Sequence, residues 1–281
     1  MKLGSKVGIF SEYGENRYQM MSKFGFLYCD LSIEGELDGR TEKEFYESVQ
    51  KEADLARQGG VTMWQVHGPW RCPPHDETPE LRAERMETMK RSIRAAAMIG
   101  SRYWVIHPIM PFGCNDDFHA QQLYEINYSF FEKLLPTAKR EGVIICLENM
   151  PFKKLPISTP EKTVEFVRSV HDEHFKLCLD TGHALTFGIQ PADALRQVWD
   201  EVRVLHIHDN VEGRDNHTIP GTGIGDWIAF RDALVEIGFD GVYSLECGWT
   251  NFLPNVSNET RLKSLCAVLD EFVPTAGKDS K

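Results

Sequence analysis

The sequence predicts an α/β fold, a single-domain TIM (β/α)8 barrel, on two observations. Eight short apolar runs typical of buried parallel strands alternate with amphipathic stretches typical of helices. The 281 residues contain no Pro/Gly/Ser-rich linker, and their length fits one barrel. A doubly wound sheet, the alternative, would more often have fewer units or a break between domains. We therefore assign residues 1–274 to the barrel and expect 275–281, TAGKDSK, to be a disordered tail.

The elements follow one another in a regular order. The strand-like runs are KVGIF (6–10), FLYCDLSI (26–33), VTMWQVH (61–67), RYWVIHP (102–108), VIICLEN (143–149), FKLCLDTGH (175–183), RVLHIHDN (203–210) and GVYSLEC (241–247). The helices between them have apolar residues three and four positions apart and a Gly near the end. The clearest of these are residues 41–60, 79–100 and 118–142, and residues 258–274 form the last one.

Composition excludes several classes of protein. The net charge of −11 disfavours nucleic acid as a partner, because nucleic-acid binding needs a basic surface. The apolar runs are too short for a membrane span, and MKLGSKVGIF lacks the features of a signal peptide, so we expect a cytoplasmic protein. Seven cysteines without a CxxC pair indicate neither a disulfide scaffold nor a thiolate zinc site.

Reactive side chains are concentrated at the carboxyl ends of the predicted strands, where the active site of such a barrel lies. Five of the ten histidines end a strand-like run, and a sixth follows the seventh run. For any single histidine, a hydrogen-bonded position at the rim is the alternative. The residues concerned are His67, His107, Glu148, Asp180, His183, His206, His208, Asp209 and Glu246, with Asp215 and His217 in the loop after the seventh run.

Three carboxylates end apolar runs on three different strands: Glu148, Asp180 and Glu246. Converging carboxylates repel one another, and a divalent cation is the simplest partner that removes the repulsion. Imidazole and carboxylate ligands without thiolate suit Mn, Zn, Co, Mg or Fe, among which the sequence does not choose.

Glu148 and Glu246 also predict a reaction, because they can approach one substrate from different sides while both contact the metal. A metal-polarised carbonyl acidifies the neighbouring C–H. One glutamate would remove that proton and the other would return one, through a metal-stabilised enediolate. This chemistry indicates an isomerase or epimerase of a small carbohydrate, sugar phosphate or polyol.

Several motifs, in this order along nearly the whole chain, resemble the xylose isomerase-like TIM barrel superfamily. They are LENM (147–150), LDTGHA (179–184), LHIHDN (205–210), GTGIGDW (221–227) and YSLEC (243–247). That superfamily includes sugar-phosphate isomerases/epimerases, ketose 3-epimerases, inosose dehydratases and the endonuclease IV branch. The ketose epimerase branch implies one metal on Glu148, Asp180, His206 and Glu246. It also implies that the two glutamates form the acid/base pair and that His183 binds substrate oxygens.

Two positions depart from the ketose epimerase pattern. His217 stands where that branch usually has a substrate-binding Arg, so we expect His217 on substrate or on a second metal. Lys153 and Lys154 stand where the branch tends to carry a second Glu. The two lysines either meet a phosphate or acidic substituent or form a solvated pair.

The resemblance leaves two alternatives open. The endonuclease IV branch holds three zinc ions, and each of its ligand positions has an acceptable residue here. They are His67, His107, Glu148, Asp180, His183, His206, Asp215, His217 and Glu246. A zinc-dependent phosphodiesterase is therefore the first alternative. An inosose dehydratase-like lyase, which shares the enolate chemistry, is the second. In a sugar-active enzyme His67 and His107 would contact substrate instead.

The loops that follow the strands favour a sugar or polyol substrate. Residues 68–80, 108–119 and 247–255 are acidic or aromatic more than basic, whereas a DNA-binding barrel needs basic loops to hold phosphates. Aromatic rings stack on the apolar faces of sugars, although packing at the rim is the alternative for each. The aromatic candidates are Trp70, Phe112, Trp227 and Trp249. We expect no nucleic-acid or membrane partner, and homo-oligomers are common in the family.

The stretch 205–227 contains ligands with different expected roles. His206 is placed on the primary metal, and His208 and Asp209 are expected to orient the ligands. Asp226 is a candidate helix cap.

Overall fold

The computed structural model describes residues 1–70, 76–112, 120–250 and 252–274. Residues 275–281, for which the sequence predicts a disordered tail, lie outside these ranges. Within them, none of the helices is both long and apolar enough to cross a membrane.

Eight parallel strands form one sheet in the order β7-β6-β5-β4-β3-β2-β1-β8. Their bounds are β1 Lys2–Lys6, β2 Tyr28–Ser32, β3 Thr62–His67, β4 Tyr103–Ile106, β5 Ile144–Glu148, β6 Phe175–Asp180, β7 Val202–His206 and β8 Val242–Leu245. The sheet closes between β7 and β8, where the Ile207 amide donates to Ser244 O and the Glu246 amide donates to Ile207 O, both at 2.9 Å. The predicted barrel is confirmed, and the doubly wound alternative is wrong.

Helices connect the strands and most of them cover the outside of the barrel, whereas the short α6 lies at the strand ends. Their bounds are α1 Arg17–Lys23, α2 Glu42–Gln58, α3 Pro79–Met98, α4 Ala120–Glu141, α5 Pro160–Val170, α6 Thr181–Thr186, α7 Pro191–Val198, α8 Trp227–Glu236 and α9 Asn258–Phe272. Side-chain oxygens cap several N-termini, which satisfies amides that have no partner within the helix. Asp226 is one of these caps and accepts from the Ala229 amide at 2.9 Å, as predicted.

The first strand lies earlier than the sequence predicts. Residues 6–10 were expected to be a strand, but β1 is Lys2–Lys6 and the following Val7–Asn16 is a 3₁₀ segment. This strand contains Gly4 and Ser5, so it has too few apolar residues to be recognised from an apolar pattern. Gly4 is required by the packing of the strand. A Cβ on Gly4 would lie 2.6 Å from Val242 Cγ1 of β8. Lys6 therefore lies at the end of the first strand and not at its start, and its side chain points toward the site.

A small apolar layer fills the barrel beneath the strand ends. It consists of Val105, Ile144, Cys146, Cys178 and Val204, separate from the main core between sheet and helices. Because side chains two residues apart share a face of a strand, the residues that follow these by two also point inward. They are His107, Glu148, Asp180 and His206, which lie at the mouth, the face of the barrel at the carboxyl ends of its strands.

Candidate metal centre and active site

Four predicted ligands come together at the mouth. Glu148, Asp180, His206 and Glu246, here the primary group, offer ligand atoms that all lie within 4.8 Å of one another. His206 Nδ1 lies 3.0 Å from Glu148 Oε1 and 2.5 Å from Glu246 Oε2. The ion that would bind there is thus surrounded by oxygen and nitrogen from β5, β6, β7 and the end of β8.

The carboxylates of this group are held ionised by their neighbours. Burial alone would raise the pKa of Glu148, but His206, His107 and His67 hold that pKa well below its usual range. Burial likewise opposes ionisation of Glu246, and His206 and Lys6 hold the Glu246 pKa well below its usual range.

The pKa of His206 is shifted in the opposite direction, upward. Burial alone would lower the pKa of this imidazole, but Cys178 and the carboxylates of Glu246, Glu148 and Asp30 raise it well above its usual value. In the metal-free protein a proton on His206 therefore offsets part of the negative charge.

The donor set fits a divalent cation. Glu148 Oε2 and Glu246 Oε2 are buried and lie near imidazole nitrogens, but no described residue donates a correctly oriented hydrogen bond to either of them. A buried anionic oxygen without a partner costs free energy, and a bound cation removes that cost. The Cys178 thiol also lies within 4.8 Å of ligand atoms of Glu148 and His206. Burial raises the pKa of that thiol well above its usual value, and Cys178 belongs to the apolar layer beneath the mouth.

A second group lies beside the first and consists of His183, His208, Asp215 and His217. The rings of His208 and His217 stack at 3.9 Å between centroids. Asp215 Oδ1 lies 3.4 Å from His217 Nε2, and Asp215 Oδ2 lies 3.5 Å from His183 Nε2. Burial alone would lower the pKa of His183, but the carboxylates of Asp180 and Asp215 raise it to about 10. Burial alone would also lower the pKa of His217, but Asp215 raises that pKa to about 9.

A third group joins the primary group through a shared carboxylate and consists of His67, His107 and Glu148. Glu148 Oε2 lies 3.5 Å from His67 Nε2 and 3.3 Å from His107 Nε2. The two imidazoles also contact each other at 3.2 Å between their Nε2 atoms. The nine residues implied by the endonuclease IV resemblance thus form one connected group at the mouth, linked through contacts of Glu148, His183, His206 and Asp215.

His208 contacts a proposed ligand, as the sequence predicts. Its Nε2 lies 3.1 Å from Asp180 Oδ1 and 3.2 Å from Oδ2. The backbone amide of His183 donates to the same Asp180 Oδ1 at 2.6 Å. Asp180 is therefore held from two directions.

Glycine at position 182 is required by this packing. A Cβ there would lie 2.0 Å from His208 Cε1 and 2.2 Å from its Nδ1, and His208 is fully buried. We expect Gly182→Ala to destabilise the protein by about 1–3 kcal/mol, because an overfilled site forces its neighbours to move. Metal affinity should fall as well, since His208 holds Asp180. Gly8→Ala is the control, because nothing lies within 4 Å of its added Cβ. Equal effects of the two substitutions in urea unfolding and metal titration would contradict this explanation.

Asp209 does not orient a ligand, contrary to the prediction. Its carboxylate accepts hydrogen bonds from the backbone amides of Gly221, Gly223 and Gly225, at 2.9–3.0 Å. It also accepts from the indole Nε1 of Trp227 at 2.8 Å. Asp209 therefore fixes the glycine-rich loop that returns the chain from the mouth to α8.

This role predicts a large loss of stability in Asp209→Asn. An amide NH₂ would replace one acceptor oxygen among donors, and hydrogen bonds to charged groups contribute about 1.5–3 kcal/mol each. We expect the free energy of unfolding to fall by about 3 kcal/mol, measured in denaturant. Asp226→Asn is the matched control, because asparagine caps a helix about as well as aspartate. A stability loss in Asp226→Asn as large as that in Asp209→Asn would count against the proposed role.

The four aromatic candidates differ in exposure. Trp70 is 56% and Phe112 44% exposed, although the Arg82 guanidinium lies 4.0 Å above the Phe112 ring. Trp249 is partly buried and stacks on Phe252, with 5.9 Å between centroids. Trp227 is buried at 2% exposure, so its predicted contact with a sugar is wrong. Lys153 and Lys154 are exposed in the segment after β5.

Three polar residues at the site were not predicted. Lys6 forms an ion pair with Glu246. Burial alone would lower the pKa of Lys6, but the carboxylates of Glu246 and Asp30 raise it above its usual value. Asp30 and Gln65 are buried behind His206. A signal for Asp30 was present in the sequence, since a charged residue within an apolar strand-like run is unusual.

A family model described as a xylose isomerase-like TIM barrel matches residues 19–272. The chain belongs to this family. The resemblance inferred from the strand-end motifs is therefore confirmed.

Relatives within the family have different names. Uncharacterized protein MJ1311 of Methanocaldococcus jannaschii is 29% identical over 74% of this chain and 71% of its own. A D-psicose 3-epimerase of Enterocloster bolteae is 23% identical over 86% and 82%. A probable endonuclease 4 of Bacillus licheniformis is 26% identical over 86% and 77%. Among solved structures, a D-tagatose 3-epimerase-like protein covers 96% of this chain and 99% of its own, with 23% identity and a TM-score of 0.74.

Proposed function

We propose that the protein is a divalent-metal-dependent isomerase or epimerase of a small carbohydrate, sugar phosphate or polyol. The observation that carries the proposal is the position of two glutamates from different strands around one imidazole. Glu148 and Glu246 both contact His206 Nδ1, and each keeps a buried oxygen that accepts no hydrogen bond within the described ranges. Relatives named D-psicose 3-epimerase support the same class of reaction.

A cation held by Glu148, Asp180, His206 and Glu246 would be Mn, Zn, Co or Mg and would make the C–H beside a substrate carbonyl more acidic. One of the two glutamates removes that proton, and the other returns a proton to the opposite face. Both carboxylates are ionised at neutral pH because their pKa values are lowered, so either is able to act as the base. The glutamate that returns a proton must first take that proton from solvent, which is the route by which solvent deuterium would enter the product.

The remaining polar residues at the mouth would bind and orient the substrate. His183 and His217 place imidazoles beside the primary group, and His67 and His107 do so from β3 and the end of β4. Trp70 exposes its ring at the same end of the barrel, and Trp249 follows β8. These rings suit the apolar face of a sugar.

A zinc-dependent phosphodiesterase is the second candidate, and one observation favours it. The three ligand groups match a site for three cations, and a relative is named probable endonuclease 4. The net charge of −11 argues against a polyanionic substrate. A lyase that uses the same enolate would share every residue of the first proposal.

The deciding experiment combines metal content with proton exchange. Elemental analysis of the purified protein, followed by a panel of ketoses, inosose and sugar phosphates in D₂O, measures stoichiometry and solvent deuterium incorporation. One metal per chain with deuterium at the carbon beside the carbonyl supports the isomerase or epimerase, and loss of water from inosose identifies the lyase. Three zinc ions together with cleavage of an abasic-site duplex would replace the proposal with the phosphodiesterase.

A further inference from the structure

Strands β2 and β3 place a buried polar pair directly behind His206. Asp30 is 1% exposed and Gln65 is fully buried. Gln65 Nε2 donates to Asp30 Oδ2 at 3.1 Å and to the Leu205 carbonyl at 3.3 Å. Asp30 Oδ2 in turn lies 2.9 Å from His206 Nε2, a charge contact in which the nitrogen does not meet hydrogen-bond geometry. The pair therefore connects the inner faces of two strands to the back of a proposed metal ligand.

The two nitrogens of His206 face different surroundings. Nδ1 faces Glu148 and Glu246 of the primary group, whereas Nε2 faces Asp30. A neutral imidazole carries one proton, and the nitrogen without it is the one that binds a metal. A carboxylate beside Nε2 stabilises the proton there, which leaves the lone pair of Nδ1 directed at the primary group.

The other surroundings of Asp30 do not account for its position. Its Oδ1 is buried and has no hydrogen-bond partner among the described residues. An incompletely satisfied buried carboxylate contributes little stability by itself and is costly to keep. The charge of Lys6 acts from the neighbouring strand, but Lys6 pairs directly with Glu246. The direct contacts of Asp30 are thus with Gln65 and with His206.

We propose that Asp30 is a positioning residue whose carboxylate, 2.9 Å from His206 Nε2, keeps the imidazole proton on that nitrogen and so fixes the tautomer in which Nδ1 binds the metal. Gln65 holds Asp30 in place, and the ring of His67, stacked on His206 at 5.7 Å and 13°, limits rotation of the imidazole. The inference rests on the metal site of the proposed function and not on the reaction. A protein that binds metal but acts on no sugar would leave it intact.

The test is a Co²⁺ titration of the EDTA-treated full chain, followed by visible absorption and calorimetry. Loss of a partner that orients a metal-bound histidine lowers metal affinity about 10–100-fold. We expect a loss of that size in Asp30→Asn, together with a changed Co²⁺ absorption spectrum, and partial recovery of both in Asp30→Glu. A merely structural role for Asp30 would lower the melting temperature without altering the spectrum.

Asp76→Asn is the matched control. Asp76 is also a buried carboxylate, at 1% exposure, but it pairs with Arg82 and Arg85 instead of a proposed ligand. We expect its substitution to lower stability and to leave Co²⁺ affinity and the spectrum unchanged. Equal losses of affinity in the two variants, or wild-type affinity in Asp30→Asn, would overturn the proposal.

A measurement on the unmodified chain covers the case in which Asp30→Asn does not fold. ¹⁵N NMR of the Zn²⁺-loaded wild-type protein distinguishes a protonated from a metal-bound nitrogen in His206. The proposal requires a proton on Nε2 and Zn²⁺ on Nδ1. Zn²⁺ on Nε2 would overturn it, whatever the behaviour of the variants.

Discussion

Glu148→Gln and Glu246→Gln should each lower turnover about 10²–10⁴-fold, the range that positioned acid and base groups contribute. The amide keeps the shape of the side chain but neither removes nor returns a proton. The measurement is the rate of solvent deuterium incorporation into the best substrate of the panel. Circular dichroism should show the same fold for the wild type and both variants.

Metal content must accompany these rates, because both glutamates are also proposed ligands. Each variant is therefore assayed at saturating metal, and elemental analysis reports its occupancy. Glu236→Gln is the control, since Glu236 lies on the outside of the barrel in an ion pair with Arg196. Wild-type turnover in both Glu148→Gln and Glu246→Gln would remove the proposed acid/base mechanism.

The affinity of the metal-free protein for a divalent cation should rise about tenfold per pH unit between about pH 6.5 and 8. The pKa of His206 is raised well above its usual value, so a cation that binds Nδ1 must displace a proton. Release of one proton per cation gives this slope. Calorimetry in buffers with different ionisation enthalpies measures the protons released, and an affinity independent of pH would contradict the assignment of His206 as a ligand.

The same shifts set the stability of the metal-free protein. The contribution of His206 is fully present below the unfolded-state pKa of about 6.5 and is lost as pH rises through its raised folded-state pKa. Glu148 and Glu246 have lowered pKa values, so their contribution is present above about pH 4.5 and is lost as pH falls. We expect the melting temperature of the EDTA-treated protein to decline on the alkaline side more steeply than that of the metal-loaded protein.

Residues at strand ends were predictable because parallel strands bring their carboxyl ends to one face. Glu148, Asp180 and His206 followed from apolar runs that end in a ligand, and the structure brings their ligand atoms together. The contact of Asp30 with His206 depends on how β2 and β7 face each other across the barrel. Such a contact requires the closed sheet and is not encoded in any local pattern.

Local patterns failed where packing decided the outcome. Gly4 and Ser5 give β1 little apolar character. The sequence therefore predicts a strand that begins at Lys6, whereas in the structure Lys6 is the last residue of β1. Trp227 was expected at the rim, but its indole N–H reaches the buried carboxylate of Asp209. That bond spans a loop whose path follows from three glycine amides and not from the periodicity of apolar residues.

The closure of the sheet between β7 and β8 indicates when the site forms during folding of the chain. Two backbone hydrogen bonds through Ile207 close the barrel there, and His206 and Glu246 stand beside them. The partners Lys6 and Glu246 are 240 residues apart in sequence, so they meet only after the last strand has docked on the first. High-affinity metal binding should therefore appear late in refolding, and slow amide hydrogen exchange at Ile207 and Glu246 should appear with it.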